Sequence, residues 1–81
     1  MVNVGTNSFV KIEEIETISP PESAPIKRLV NTAKDEGKCI EVTYGKRVKS
    51  VIILKSGKIV LSAMLPQTIA QRIAEKSWEI W

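Results

Sequence analysis

The chain has 81 residues, a formal net charge of +3, one cysteine and no histidine. Cys39 alone cannot form an internal disulfide, and the lack of histidine excludes the usual structural zinc sites and the commonest general base. We therefore expect no metal or other cofactor, no small-molecule substrate and no enzymatic activity. A chain this short is expected to form one domain over residues 1–81, with a core small enough that self-association would add to its stability.

Neither the N-terminal residues nor the apolar runs suggest targeting to a membrane. Residues 1–5 lack the basic stretch and apolar run that a signal peptide requires. The longest apolar run, residues 51–54, is far shorter than the roughly 20 residues that span a bilayer. A lone thiol also suits a reducing compartment. We expect a cytoplasmic protein without membrane contact.

Charges are unevenly distributed along the chain. Residues 1–26 carry one base and four acids, a net charge of −3, whereas residues 27–81 carry eleven bases and five acids, a net charge of +6. No carboxylate occurs between Glu41 and Glu75, although six lysines and arginines lie there. This segregation indicates an anionic partner, or an acidic patch on a neighbouring copy of the chain.

The N-terminal residues 1–18 are predicted to form short strands. Residues 2–4 and 9–12 have strand composition and are separated by a turn at residues 5–8. Residues 12–18 have isoleucine at every third position, but their β-branched content and short length favour an extended edge strand. Pro20 and Pro21 then end the strand, because proline lacks an amide donor.

A helix is predicted over residues 23–36. Ser23 is a suitable N-cap, Pro25 lies in the first turn where its missing N–H costs nothing, and Gly37 can end the helix in the left-handed conformation. Its inner face is expected to be apolar at helical spacing. That face consists of Ile26, Leu29, Val30 and Ala33.

Residues 39–63 are predicted to hold three strands, with Cys39 a half-buried core thiol. Residues 39–43 and 51–54 flank the loop 44–49 as a hairpin, and a second hairpin turn at residues 55–58 leads into the strand 59–63. A last helix is predicted over residues 66–77. Its inner face is expected to consist of Ile69, Ala70, Ile73 and Ala74. The fold class is α+β, a mostly antiparallel sheet with two helices.

The loop 44–49, Tyr-Gly-Lys-Arg-Val-Lys, is the most informative functional segment. If the next strand began near Arg47, Arg47 and Lys49 would project from one face, with Lys46 beside them at the turn. Such a cluster suits contacts with DNA phosphates, for which Lys27 and Arg28 are weaker candidates. The alternative is that the loop is only solvated.

An acidic segment, Glu13, Glu14 and Glu16, precedes this basic region. It is either solvated surface, or it meets the basic loop of a neighbouring copy in a head-to-tail interface that can close into a ring. Trp78 and Trp81 would share a helix face and are expected to cover the core or line a subunit interface.

Six segments follow a recognisable pattern. They are residues 3–5 (Asn-Val-Gly), 19–28 (Ser-Pro-Pro-Glu-Ser-Ala-Pro-Ile-Lys-Arg), 43–47 (Thr-Tyr-Gly-Lys-Arg), 51–53 (Val-Ile-Ile), 60–63 (Val-Leu-Ser-Ala) and 66–72 (Pro-Gln-Thr-Ile-Ala-Gln-Arg). Together the chain resembles the RemA family of bacterial extracellular-matrix regulatory proteins over residues 2–75. The resemblance implies a DNA-binding transcriptional regulator of biofilm matrix genes, LytTR-like in fold and assembled as a ring-shaped homo-oligomer.

The chain departs from the pattern of that family in two regions. The family loop reads Tyr-Gly-Arg-Arg-Thr-Arg, so Lys46, Arg47 and Lys49 keep its three charges but make fewer two-pronged contacts. The family also places an arginine implicated in DNA contact where ungapped matching puts Glu14, whose charge would repel phosphate.

The leading hypothesis is therefore a ring-forming binder of double-stranded DNA that uses the basic loop. The alternative is a structural or protein-binding oligomer without DNA binding, in which the basic loop pairs with the acidic segment of the next copy. RNA is a weaker third partner, because only Tyr44 lies near the loop and single-strand recognition uses several exposed aromatic side chains.

Overall fold

The computed structural model of the protein describes residues 1–5 and 8–78, with the side chains of residues 76–78 excepted. Six strands and two α-helices lie in this part of the chain. They are β1 (Val2–Gly5), β2 (Ser8–Val10), β3 (Ile15–Ser19), α1 (Ala24–Asp35), β4 (Cys39–Glu41), β5 (Ser50–Leu54), β6 (Ile59–Ser62) and α2 (Pro66–Trp78). The predicted α+β class with two helices is confirmed.

A four-stranded sheet in the order β3-β5-β6-β4 forms the centre of the fold. The pairs β3–β5 and β5–β6 are antiparallel, whereas β4 pairs with β6 in parallel. The central strands β5 and β6 are almost wholly buried because both of their faces are covered, which agrees with their nearly continuous apolar sequence. The predicted turn at residues 55–58 joins them, with Gly57 at a φ of +91°.

The predicted hairpin around the loop 44–49 is wrong. Strand β4 ends at Glu41 and lies at the sheet edge beside β6, so it does not pair with β5. Both sides of β5 are occupied, one by β6 through the tight turn and the other by β3. The connection after β4 must therefore pass the end of β6 before it reaches β5.

The core has two parts, one on each face of this sheet. On one face α1 contributes Ala33, which packs against β5 and β6. On the other face β1 and α2 cover the sheet with Val2, Val4 and Ile69. Because side chains alternate along a strand, Val51 faces the first layer and Ile52 faces the second. The pair β1–β2 is a separate antiparallel ribbon.

Both helices begin and end close to the predicted residues, but their inner faces are narrower than predicted. Gly37 ends α1 with a φ of +71°, while Ser23 occupies the N-cap position without a side-chain hydrogen bond in the described structure. Leu29 is 43% exposed, so the inner face of α1 does not extend that far. Ala70 and Ala74 are also exposed, because α2 rests on the second layer along a line through Ile69 and Ile73.

The predicted edge strand at residues 12–18 is correct in its second half. Residues 12–14 form a 3₁₀ turn, and β3 follows as an edge of the sheet. Trp78 is the last residue of α2, and its side chain, like all of Trp81, lies outside the described residues. No helix in the described ranges combines the length and apolar character needed to cross a bilayer.

Candidate nucleic-acid interface

The connection between β4 and β5, residues 42–49, contains a tight turn, and the strand β5 starts only after it. Tyr44 and Gly45 both have positive φ, at 50° and 82°, and the amide of Lys46 donates to the carbonyl oxygen of Thr43 at 3.0 Å. Thr43 is buried, and its hydroxyl donates to Glu41 Oε1 at 2.7 Å. A left-handed tyrosine is uncommon and costs about 1–2 kcal/mol, so the surrounding contacts must hold this turn.

The C-terminal end of the same connection is held by main-chain and serine contacts. The amide of Lys49 donates to the carbonyl oxygen of Ser62 at 2.8 Å. The buried hydroxyls of Ser50 and Ser62 donate to the carbonyl oxygens of Met64 and Val4, respectively. These bonds fix the base of the loop relative to β6, so the basic side chains extend from a rigid support.

Lys46 and Lys49 lie together at one depression of about 400 Å³, and Arg72 of α2 joins them there. We call these three residues the basic depression. Arg72 Nη1 donates to the carbonyl oxygen of Asn3 at 3.4 Å, which directs the guanidinium across the end of β1. No carboxylate belongs to the residues described as lining it. Three cations without a local counter-charge are suited to bind a polyanion.

Arg72 was not among the predicted site residues. It is distant from the loop in sequence, and no local pattern placed it beside the loop. The available signal was the segment between Glu41 and Glu75, which lacks carboxylates and includes Arg72.

Arg47 lies on the other side of the loop from Lys46. It lines a second depression with Glu22, Gln67 and Lys49. Arg47 and Lys49 do not project from one face of a strand, because β5 begins only at Ser50. Lys49 lines both depressions. The three cations of the loop, Lys46, Arg47 and Lys49, therefore form a ridge with positive charge on both slopes.

The two weaker candidates on α1 point to different places. Lys27 lines a depression beside the loop, together with Lys34 and Val48. Arg28 lines a depression on the opposite side of α1, where Glu16 and Glu36 also lie. The structure thus places Lys27 near the basic loop and Arg28 apart from it.

The acidic segment does not reach the basic depression within one chain. Glu14 lines a separate depression that also contains Lys11 and Lys58, and Glu16 lies beside Arg28. Glu13 is exposed on the 3₁₀ turn. The carboxylate of Glu14 therefore does not oppose an anion bound at the basic depression of its own chain.

Cys39 lies at the start of β4 and is half-buried, as expected for a core thiol. Burial raises the pKa of this thiol, and Glu41 raises it further, while Lys34 acts in the opposite direction. A raised pKa lowers the fraction of the nucleophilic thiolate. In the part of the chain that the structure describes, no three cysteine or carboxylate side chains group closely enough to hold a metal ion.

A further surface feature is a set of exposed apolar side chains near the 3₁₀ turn. Met1, Phe9 and Ile40 are 60%, 56% and 46% exposed and line the same depression as Glu14. We call these three residues the apolar patch. Clustered exposed apolar groups are more typical of contact surfaces than single ones.

Comparisons with known proteins agree with the resemblance found in the sequence. A family model described as RemA-like, extracellular matrix regulatory protein A-like, matches residues 1–73. A protein of Lachnoclostridium phytofermentans is 42% identical over 76 residues, covering 94% of this chain and 84% of that protein. One of Clostridium botulinum is 43% identical over 79 residues (98% and 87%), and one of Fervidobacterium nodosum is 45% identical over 80 residues (99% and 86%). Each is named provisionally as a regulatory protein.

Proposed function

The chain belongs to the RemA-like family of extracellular matrix regulatory proteins, and from this we propose that it is a regulator that binds double-stranded DNA. The observation that carries the proposal is the basic depression, where Lys46, Lys49 and Arg72 meet without a carboxylate among the lining residues. Phosphate contacts by lysine and arginine dominate non-specific affinity for DNA. In the reading that the family resemblance favours, the protein acts in the cytoplasm on transcription of matrix genes.

Arg72 and the three cations of the loop have distinct parts in this proposal. Arg72 holds a phosphate in two-pronged fashion, whereas Lys46 and Lys49 act as point charges on either side. Arg47 reaches a neighbouring phosphate from the other slope of the loop. Because the base of the loop is fixed by hydrogen bonds, little ordering entropy is lost on binding.

A homo-oligomer, closed as a ring of LytTR-like domains, is part of the proposal. One copy supplies few phosphate contacts, while an array of copies multiplies them at fixed spacing. The apolar patch supports this assembly, because covering it with a second copy would remove exposed apolar surface from water.

The test compares two triple variants that lose the same charge. Lys46→Gln/Arg47→Gln/Lys49→Gln removes the loop cations, and Arg28→Gln/Lys38→Gln/Lys55→Gln removes three exposed cations outside both the basic depression and the depression of the apolar patch. Affinity for a labelled duplex is measured by fluorescence anisotropy over a range of salt concentrations. The loop variant should lower the slope of log affinity against log salt by about 2.7, at about 0.9 per phosphate.

The control variant should retain most of the wild-type slope, and both variants should keep the wild-type mass by light scattering. If the loop variant binds duplex as tightly as the wild type at moderate salt, the basic loop does not bind DNA. Equal losses in both variants would mean that only net charge matters, and the assignment of the site would be wrong.

The second candidate function is a protein-binding or structural oligomer without DNA binding. The apolar patch favours it, since exposed Phe9 and Ile40 lie beside Glu14 rather than beside the basic loop. If the basic loop pairs with Glu13, Glu14 or Glu16 of the next copy, raising the salt concentration should lower the oligomer mass. DNA binding predicts instead that duplex is released while the mass stays constant.

A further inference from the structure

The positive surface does not end at the loop. Lys49 is shared between the basic depression and the depression of Arg47, and Val48 is shared between the latter and a third depression of about 310 Å³. This third depression lies between the loop and α1, and Lys27 and Lys34 line it. No carboxylate belongs to the residues described as lining it. Cations therefore continue from α2 across the loop to α1, and Glu22 beside Arg47 is the one carboxylate among the residues described as lining the three depressions.

The spacing on α1 places these cations in a row. Lys27, Asn31 and Lys34 are exposed and follow one another at intervals of four and three residues, so they share a helix face. At 1.5 Å per residue, Lys27 and Lys34 are about 10 Å apart along the helix axis. Along the duplex axis each strand advances about 3.4 Å per phosphate, so this span would correspond to about three phosphate steps for an α1 that lies parallel to that axis.

Asn31 lies between the two lysines, so all three side chains in the row can donate hydrogen bonds. Its side-chain amide can donate to a phosphate oxygen, and amide side chains are common in such contacts. The floor below consists of apolar side chains, including Val30, Val51 and Leu61, which offer the lysines no competing acceptor.

The opposite side of α1 has a different character. There Arg28 shares its depression with Glu16 and Glu36, and Glu36 forms an ion pair with Lys38 at 3.4 Å. A polyanion passing on that side would meet carboxylates. The two sides of one helix thus differ in what they can bind.

We propose that bound duplex runs from the basic depression across the loop onto α1, where Lys27 and Lys34 each contact a phosphate and Asn31 donates between them. This inference rests on the proposed DNA binding and adds the course of the duplex over the protein surface. The contacted strand lies along the face of α1 that borders the loop, and the side that carries Arg28 stays free of DNA.

The experiment compares two double variants with equal charge loss in the full chain. Lys27→Gln/Lys34→Gln removes the α1 cations on the loop side, and Arg28→Gln/Lys55→Gln removes two cations that line the opposite depression. The salt slope of duplex affinity is measured by anisotropy. The first variant should lower the slope by about 1.8, at about 0.9 per phosphate, and the second should leave it unchanged.

A second pair of variants adds a charge instead of removing one. Asn31→Asp places a carboxylate in the proposed row, whereas Thr32→Asp adds the same charge next to it on the opposite side of α1. Binding should be weaker for Asn31→Asp than for Thr32→Asp, and Lys27→Arg/Lys34→Arg should keep the wild-type slope. Circular dichroism checks that every variant keeps the wild-type fold.

The outcomes separate this inference from the proposed function. A wild-type chain that does not bind duplex even at low salt overturns both. If duplex binds and the loop variant loses it, but Lys27→Gln/Lys34→Gln keeps the wild-type slope, the course over α1 is wrong and the loop assignment stands. Equal slopes for the two double variants also overturn the course over α1.

Discussion

The hydroxyl of Ser62, at the end of β6, donates a hydrogen bond to the main-chain carbonyl oxygen of Val4 in β1. The Oγ atom of Ser62 also accepts a hydrogen bond from the amide of Met64 at 3.1 Å, so one buried side chain joins the N-terminal ribbon, the central sheet and the chain leading to α2. Two of these segments, the ribbon and the chain leading to α2, supply residues to the basic depression. The position of Ser62 therefore affects both stability and the candidate site.

Replacement of Ser62 by alanine tests this role. Ser62→Ala leaves the carbonyl of Val4 and the amide of Met64 without their partner in a buried place, at a cost of about 1–3 kcal/mol in the free energy of unfolding. Urea denaturation measures this loss. Ser56→Ala, in the exposed turn between β5 and β6, should change the unfolding free energy little. Equal stability of the two variants would contradict the role of Ser62.

Gly5 is predicted to be intolerant of a side chain. A Cβ at this position would lie 2.8 Å from the carbonyl oxygen and 3.0 Å from Cγ2 of Val42, so the backbone that leads into the basic loop would have to shift. Gly5→Ala should reduce the unfolding free energy by about 1–3 kcal/mol and also weaken duplex binding. Unfolding and anisotropy measurements on the same samples check both effects.

Gly37→Ala provides a comparison for that variant. Its φ of +71° also makes alanine strained, at about 1 kcal/mol, but open space surrounds the added Cβ. It should lose stability without losing duplex affinity. If Gly37→Ala and Gly5→Ala weakened binding equally, stability rather than the position of the loop would explain the effect.

The Cys39 thiol is expected to react slowly at neutral pH. Its raised pKa keeps it protonated, so alkylation by iodoacetamide should be slower than that of free cysteine and should accelerate as the pH rises. Because the folded state favours the protonated thiol, this titration should leave stability unchanged below the ordinary thiol pKa. Stability should then fall as the pH rises through the raised pKa. Alkylation faster than that of free cysteine at neutral pH would contradict this environment.

The apolar patch predicts an effect on assembly. Phe9→Ser/Ile40→Ser should lower the mass measured by light scattering, while the protomer remains folded because both side chains are about half exposed. Leu65→Ser, another exposed apolar position at 45%, serves as the control and should keep the mass. An unchanged mass for the double variant would exclude the patch as a subunit contact.

Local signals predicted much of the fold correctly. Pro25 and Gly37 marked the limits of α1, and Gly57 marked the turn between β5 and β6, because each residue favours a particular backbone conformation. The pairing of β4 could not be predicted in this way. Its three residues carry no information about a partner, and their place beside β6 results from β3 and β6 occupying both sides of β5.

The candidate site was predicted only where its residues are close in sequence. Lys46 and Lys49 were identified from the loop, whereas Arg72 joins them through the packing of α2 against β1. Likewise Lys27 and Arg28 are neighbours in the chain, yet they face different depressions because successive residues point about 100° apart around a helix. Such distinctions depend on tertiary packing.

The segment that joins β4 to β5 crosses the end of β6, and this crossing requires a minimum reach. Adjacent strands are about 4.8 Å apart, so the segment must cover at least about 10 Å between its two attachment points. Residues 42–49 make this connection, and eight residues can extend to about 26 Å, so the excess length is taken up by the turn in which the Lys46 amide bonds the Thr43 carbonyl. Insertions near Gly45, where space is open, would be accommodated by the surface. The turn, and not the distance to be crossed, therefore sets the length of this segment.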